Sequence, residues 1–172
     1  MSTWIALIRG INVGGHKKVS MPDLKKVCES LGYTDVRTWL NSGNVLFTAK
    51  TCDAAQLEKA IAEATGTEAR VVLRSPKELA EAIERNPLKG EPNRVMIVFL
   101  DRKPKGELGW DGPEETHLDG RHLYIHYTES MADSKLTNTV IERRLGVVST
   151  ARNLNTANKL LELSHQQSHP KG

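Results

Sequence analysis

Residues 36–48, V-R-T-W-L-N-S-G-N-V-L-F-T, decide the fold because two β-forming runs flank a short turn. The runs 36–40 and 45–48 are rich in β-branched and aromatic residues, and Asn-Ser-Gly-Asn at 41–44 is typical of a hairpin turn. The sequence therefore predicts two adjacent antiparallel strands at this point.

The stretch before this hairpin predicts a strand, a loop and a helix. Residues 4–8 (W-I-A-L-I) form a short apolar run typical of a buried strand, and a glycine-rich loop follows over 9–19. Ser20 is placed to cap a helix, with Asp23 three residues later, and Gly32 is placed to end it. The expected apolar face of that helix consists of Leu24, Val27, Cys28 and Leu31.

The stretch after the hairpin completes a repeating order. A helix is predicted over 54–64, Gly66 interrupts it, and a strand is predicted over 69–73. Residues 1–75 thus read β-α-β-β-α-β, which is the order of a ferredoxin-like half. In that order the first and second strands run parallel and the third lies between them, so the loops after strands one and two meet at one sheet edge.

The second half, 76–165, is predicted to be a smaller α-β-β-β-α-α region, which makes the whole chain an α+β protein. Ser75-Pro76-Lys77-Glu78 is a capping box that opens a helix. The six apolar residues 95–100 predict a central strand, and 102–113 a loop. Further strands are expected at 115–118 and 122–127, further helices at 134–145 and 155–164, and a disordered tail at 166–172.

Composition excludes several classes of protein. The chain has 172 residues, of which 38% are hydrophobic and 26% charged, and no segment reads as a membrane span. Two cysteines are too few for a disulfide scaffold or a zinc cage. With no signal peptide evident at the N terminus, a cytoplasmic location is expected and no membrane partner is predicted. The oligomeric state is left open.

Polar residues cluster at the predicted sheet edge. The glycines allow a backbone to approach a ligand and present its N–H groups, and the basic side chains complement an anion. The functional hypothesis is a pocket for a small anionic or nucleotide-like ligand, and the alternative is that these residues only build turns. The loop matches neither the dinucleotide fingerprint nor the Walker motif, so no cofactor is predicted. The candidate ligand-binding residues here are Arg9, Asn12, Gly14, Gly15, Lys17, Asn41, Ser42 and Asn44.

A third polar cluster, 150–156, precedes the last helix and supplies the candidates Arg152, Asn153 and Asn155. Asn153 and Asn155 would serve equally well as helix caps. Arg152 has no such explanation, because a cation at a helix N terminus opposes the dipole. It calls for an anionic partner, either a carboxylate of the chain or a ligand, and would complete the pocket from the second half.

Other functions rest on fewer residues. The first fifty residues hold seven basic and three acidic side chains, so RNA or DNA binding through Lys17, Lys18, Lys25 and Lys26 is an alternative. An enzyme acting on a phosphorylated substrate would use His16 as acid or base, although no catalytic residue is assigned. An interaction module whose polar clusters only build turns is a further alternative. No metal site is predicted, since His122 and His126 on one strand lie about 13 Å apart.

Three segments carry a family resemblance. They are W-I-A-L-I-R-G-I-N-V-G-G-H-K-K-V at 4–19, V-R-T-W-L-N-S-G-N-V-L-F at 36–47 and T-A-R-N-L-N-T-A-N-K-L-L-E-L at 150–163. They resemble a widespread bacterial family of conserved proteins of unknown function, with R-G-I-N-V-G-G as its hallmark. Near the C terminus that family generally reads R-N-W-N-T, whereas this chain has Leu154 in place of the tryptophan. The resemblance implies an α+β fold with ferredoxin-like features and supplies no activity, cofactor or catalytic residue.

Overall fold

The computed structural model describes residues 2–10, 19–39 and 43–166. The chain forms two compact units: unit 1 comprises Met1–Glu78 and Leu160–Gly172, and unit 2 comprises Leu79–Lys159. The described residues form an α+β structure with two antiparallel four-stranded sheets and five helices. The predicted fold class is confirmed, and the unit boundaries fall inside two helices.

Unit 1 begins with the predicted element order. Its elements are β1 (Ser2–Arg9), α1 (Met21–Ser30), β2 (Thr34–Trp39), β3 (Asn44–Ala49), α2 (Ala54–Thr65) and β4 (Arg70–Arg74). Sheet 1 has the order β2-β3-β1-β4, and each neighbouring pair is antiparallel. The third strand therefore lies between the first two, as the β-α-β-β-α-β order requires, and β1 and β2 point the same way.

The core of unit 1 lies between sheet 1 and its two helices. Leu24 and Cys28 of α1 are fully buried, and so are Leu57 and Ile61 of α2, because the i, i+4 spacing of each pair places it on one face of its helix. On the sheet side, the rings of Tyr33 and Phe47 stack with centroids 4.2 Å apart. Helix α1 ends at Ser30 with Leu31 as its C-cap, and Gly32 takes a positive φ of 87° directly after the cap, as its position predicted.

Unit 2 contains the second sheet. The remaining elements are α3 (Pro76–Glu84), β5 (Val95–Leu100), β6 (Glu115–Asp119), β7 (His122–His126), α4 (Asn138–Leu145), β8 (Ser149–Asn153) and α5 (Leu154–Ser164). Sheet 2 has the order β6-β7-β5-β8, again with antiparallel neighbours. β5 is an interior strand with five of its six residues buried, which confirms the prediction from its apolar run.

The structure corrects two predictions for the second half. The predicted α-β-β-β-α-α order lacks β8, which pairs with β5 along its whole length although its sequence, S-T-A-R-N, shows no apolar alternation. The helix predicted from residue 134 begins at Asn138, because Thr137 caps it and accepts a hydrogen bond from the Val140 N–H. Between His122 and His126 on β7, Tyr124 is fully buried and donates its hydroxyl to the Ala82 carbonyl at 2.6 Å.

The two sheets share one strand order. The strands of sheet 1 match those of sheet 2 in chain order and in position within the sheet: β1, β2, β3 and β4 match β5, β6, β7 and β8. The last strand of each sheet runs directly into a helix, β4 into α3 and β8 into α5. The two halves of the sequence show no convincing repeat, so the correspondence is visible only in the strand order.

Candidate functional site

The ends of the two predicted loops meet at one edge of sheet 1. β1 ends at Arg9, and the neighbouring strand β3 begins at Asn44, paired with Leu7. The Ile8 N–H donates to the Gly43 carbonyl at 2.8 Å, which extends the ladder by one more bond. The topology thus brings the described ends of the glycine-rich loop and the hairpin side by side, as expected.

Most of the predicted ligand-binding residues of the two loops lie outside the residues that the structure describes. Asn12, Gly14, Gly15, Lys17, Asn41 and Ser42 lie outside the described residues, as does His16. Their role in ligand binding stays a prediction from sequence. The site is therefore built below from Arg9, Asn44 and the described neighbours at the same edge.

Arg9 is half-buried at the end of β1 and lies directly opposite Arg70, the first residue of β4. Directly opposed residues of an antiparallel pair project from the same sheet face, so two guanidinium groups share this corner. Glu58 of α2 reaches the edge strand: its Oε2 lies 3.4 Å from the Arg70 Nε and accepts the Val71 N–H at 2.8 Å. That carboxylate also occupies a backbone donor on β4, which is an edge strand of sheet 1 among the residues that the structure describes.

Two further arginines project from the same face, and each donates to backbone carbonyls. Arg37 donates its Nη1 to the carbonyls of Leu163 and Gln166, at 2.6 and 2.7 Å, at the C-terminal end of α5. Arg74, 1% exposed, donates to the Leu73 carbonyl at 2.9 Å. The register places Arg37 and Arg74 in one row across the sheet. Arg9 lies outside that row, at the end of β1.

Gly10 fixes the exit of the chain from β1. Its φ is +93°, and a Cβ at this position would lie 3.2 Å from the Glu68 carbonyl oxygen. Any other residue would be strained by the backbone angle and crowded by the approach to β4. The glycine therefore holds the start of the loop tightly against the strand that carries Arg70.

Asn44 has a contact that holds the hairpin together. Its side chain is fully buried, and its Nδ2 donates to the Trp39 carbonyl at 2.8 Å, which joins the end of β2 to the start of β3. This contact explains why an asparagine stands at the start of a strand. The proposed ligand contact of Asn44 stays a prediction.

The N terminus of α1 is capped by the chain itself. Ser20 Oγ accepts the Asp23 N–H at 3.1 Å, which confirms the predicted cap. Asp23 adds a carboxylate in the first turn, where it favourably opposes the helix dipole. An anion at this helix end would compete with that carboxylate.

The third cluster lies in unit 2. Arg152, expected in a loop, is part of β8 and 8% exposed; it donates Nη1 to Thr150 Oγ1 at 2.6 Å and to the Ala151 carbonyl at 2.8 Å. Burial lowers its pKa to about 10, so it is charged at neutral pH. Asn153 Oδ1 accepts the Thr156 N–H at 2.9 Å and caps α5, and Asn155 is exposed in the first turn. Their completion of the unit 1 pocket stays a prediction.

The sequence analysis missed a cavity of about 470 Å³ in unit 2. The indole N–H of Trp110 donates to Glu114 Oε1 at 2.7 Å, and the Ser134 hydroxyl donates to Glu114 Oε2. The missed signal was the acidic side chains of residues 111–114 and 129–133, which lie at the end of the predicted loop 102–113 and before the helix predicted from residue 134. The cavity is lined by Trp110, Asp111, Gly112, Pro113, Glu114, Glu129, Ser130, Asp133, Ser134 and Lys135.

The two cysteines lie in or against the core of unit 1. Cys28 is fully buried, and burial raises its pKa to about 12, so its thiol stays protonated at neutral pH. Cys52 is half-buried; burial raises its pKa, and its sulfur accepts the Tyr33 hydroxyl at 3.8 Å. Neither cysteine has the environment of a nucleophile, as expected for Cys28 from its helix position.

The described residues contain neither a cluster of metal ligands nor a helix that could cross a membrane. Within residues 2–10, 19–39 and 43–166, no three His, Cys, Asp or Glu side chains come together as ligands for a metal ion. None of the helices in the described part of the chain has the length and apolar character needed to cross a membrane.

Comparison with solved structures shows the same fold elsewhere. The structure is similar to that of the conserved bacterial protein SP0830 from Streptococcus pneumoniae, with a TM-score of 0.75. The two sequences are 22% identical, and the match covers 96% of this chain and 99% of the other. No curated protein sequence matches this chain.

Comparison with family models gives the relationship. A model described as "Protein of unknown function (DUF1697)" matches residues 1–124, which include the first two of the three segments that carried the resemblance. The third segment, 150–163, lies beyond the matched residues. The match, together with the bacterial structural neighbour, supports a conserved bacterial family. The chain belongs to the DUF1697 family of proteins of unknown function.

Proposed function

We propose that this protein is a cytoplasmic binding protein for a small anionic ligand, such as a phosphate or a nucleotide, at the end of sheet 1 where β1 ends and β4 begins. One observation carries the proposal: Arg9 and Arg70 lie directly opposite each other at that end. The predicted loop residues Asn12, Gly14, Gly15 and Lys17 follow Arg9 in the chain and would supply the remaining contacts.

The paired arginines favour an anion for an electrostatic reason. Like charges directly opposite each other repel across a sheet, so a bound anion would reduce the repulsion between Arg9 and Arg70. Glu58 supplies one carboxylate, on the Arg70 side of the pair. A phosphate group carries up to two charges and matches the planar donor geometry of guanidinium groups, so it complements this corner better than a single carboxylate does.

Thermal shift measurements with pyrophosphate and AMP test the proposal. A ligand present at 100 times its dissociation constant stabilises the folded state by about 2.7 kcal/mol, which corresponds to about 5–10 °C for a chain of this size. We expect Arg9→Gln to reduce this shift strongly and Arg143→Gln, a change at an exposed arginine of α4, to preserve it. An affinity unchanged by Arg9→Gln would show that the ligand binds elsewhere.

Nucleic-acid binding has less support from the described residues. Lys25 and Lys26 are exposed on α1, but Asp23 and Glu29 lie on the same helix, which therefore carries no net charge. Fluorescence anisotropy with mixed oligonucleotides at low salt distinguishes the two hypotheses. Binding that weakens steeply with added salt would favour nucleic acid over a small anion.

A further inference from the structure

The cavity in unit 2 has two walls that side chains hold together. One wall is the segment from Trp110 to Glu114, and the other runs from Glu129 to Lys135. Glu114 joins them, because it accepts hydrogen bonds from the Trp110 indole and from the Ser134 hydroxyl. The Thr128 hydroxyl adds a second link by donating to the Pro113 carbonyl at 3.2 Å. The volume of about 470 Å³ lies in the range of small-molecule sites.

The indole is held in a fixed position from several sides. Arg144 lies with its Cζ 5.4 Å from the centroid of the Trp110 ring and donates to the carbonyls of Leu108 and Gly109. A Cβ on Gly112 would lie 2.7 Å from the indole Nε1, so only glycine allows the ring and the Glu114 carboxylate to meet as they do. An aromatic side chain fixed in this way loses little entropy when a ligand binds.

The charge of the lining is strongly negative. Asp111, Glu114, Glu129 and Asp133 are acidic, and Lys135 is the single basic residue among those that line the cavity. Burial raises the pKa of Glu114, but hydrogen bonds from Ser134, Trp110 and the backbone outweigh it and leave that pKa below its ordinary value. Glu114 is therefore an anion at neutral pH, although the residue is only 8% exposed.

We propose that this cavity binds a small organic cation, an ammonium group carried on an apolar body. The aromatic ring and the neighbouring carboxylates are the two groups that recognise such a cation. A metal ion is a poorer match, because the carboxylates do not converge as a set of three ligands within the described residues. The ligand proposed here is a cation, whereas the ligand proposed for the Arg9–Arg70 pair of sheet 1 is an anion. The two proposals can therefore be tested separately.

Titration with choline tests the proposal on the full-length protein, with 3,3-dimethyl-1-butanol as its uncharged isostere. We expect choline to bind at least about 10-fold more tightly than the isostere, and the indole N–H resonance of Trp110 to shift on binding. Equal affinities for choline and its isostere would overturn the proposal. So would the absence of choline binding up to about 10 mM together with the absence of agmatine and putrescine binding.

Variants locate the site. Trp110→Leu removes the ring and is expected to weaken choline binding about 10-fold. Because this change also removes a hydrogen bond to Glu114, the double variant Glu129→Gln/Asp133→Asn alters exposed side chains alone and is expected to weaken binding about 3- to 10-fold. Glu107→Gln, at an exposed loop carboxylate outside the lining, serves as the control. Binding unchanged by the double variant, or displaced by millimolar Mg²⁺, would contradict the assignment.

Discussion

The two units share a strand order but cover their sheets differently. In unit 1 the chain between the first and second strands includes α1. In unit 2 the corresponding connection, residues 101–114, contains no helix or strand. Its Leu108 enters the core of unit 2 with 5% exposure, and its Trp110 is only half-buried against that core. One topology thus supports both a helix that fills its sheet face and a loop that leaves a cavity.

The difference has an energetic cost and leaves a cavity beside sheet 2. α1 buries Leu24, Val27 and Cys28 in a regular row, whereas the loop of unit 2 buries one leucine. Less apolar area is removed from water in the loop, so it contributes less to the stability of its unit. Segments of low local stability are also where binding sites are commonly found, because they leave space and donors uncommitted.

The first way to test this comparison is to truncate one leucine in each connection. Leu24→Ala removes a fully buried side chain of α1 and is expected to cost about 3–4 kcal/mol. Leu108→Ala is expected to cost roughly half as much, because a loop beside a cavity relaxes more easily. Urea unfolding followed by circular dichroism measures both changes. Equal losses would mean that the loop is as firmly packed as the helix.

The sequence predicted the first unit well because its local signals agree with its tertiary structure. Ser20 caps α1, Gly66 ends α2 with a φ of 73°, and the apolar faces point to the core. At Ser75 and Glu78 each side chain bonds the backbone N–H of the other, as the capping-box pattern predicted. Where every local preference supports the same fold, reading them in order is sufficient.

The sequence predicted the second unit less well because long-range contacts decide its structure. β8 is polar and becomes a strand only through its pairing with β5. The segment 134–137 stays irregular because Ser134 bonds Glu114, twenty residues earlier, and Thr137 caps α4 instead. The cavity depends on that same contact. Arg9 and Arg70 of the candidate anion site are likewise 61 positions apart, and only the sheet register makes them neighbours.

The second way to sharpen the comparison uses the two buried arginines. Arg74 and Arg152 each stand just before the residue that caps the following helix, and each donates to the carbonyl of the preceding residue. Arg→Ala at either position removes the packed stem and leaves acceptors without that donor, at an expected cost of about 2–3 kcal/mol. Arg→Met keeps most of the stem and is expected to cost less than about 1.5 kcal/mol.

The four variants are compared by thermal unfolding. Matching results at the two positions would mean that both arginines have the same packing role. If Arg152→Met leaves stability unchanged but reduces the affinity for pyrophosphate, Arg152 contributes to ligand binding, as its sequence context suggested. If Arg74→Met does the same, the correspondence between the units extends to function.

The smallest expected effects come from the two caps that follow these arginines. Ser75 takes part in a reciprocal pair with Glu78, whereas Asn153 accepts one bond from the Thr156 N–H. Ser75→Ala and Asn153→Ala should each cost about 1 kcal/mol, measured by urea unfolding. Asn153→Asp restores an acceptor with a favourable charge at the helix N terminus, so it should retain nearly full stability. If Asn153→Asp is as destabilising as Asn153→Ala, capping does not explain Asn153, and its amide N–H group makes the stabilising contact instead.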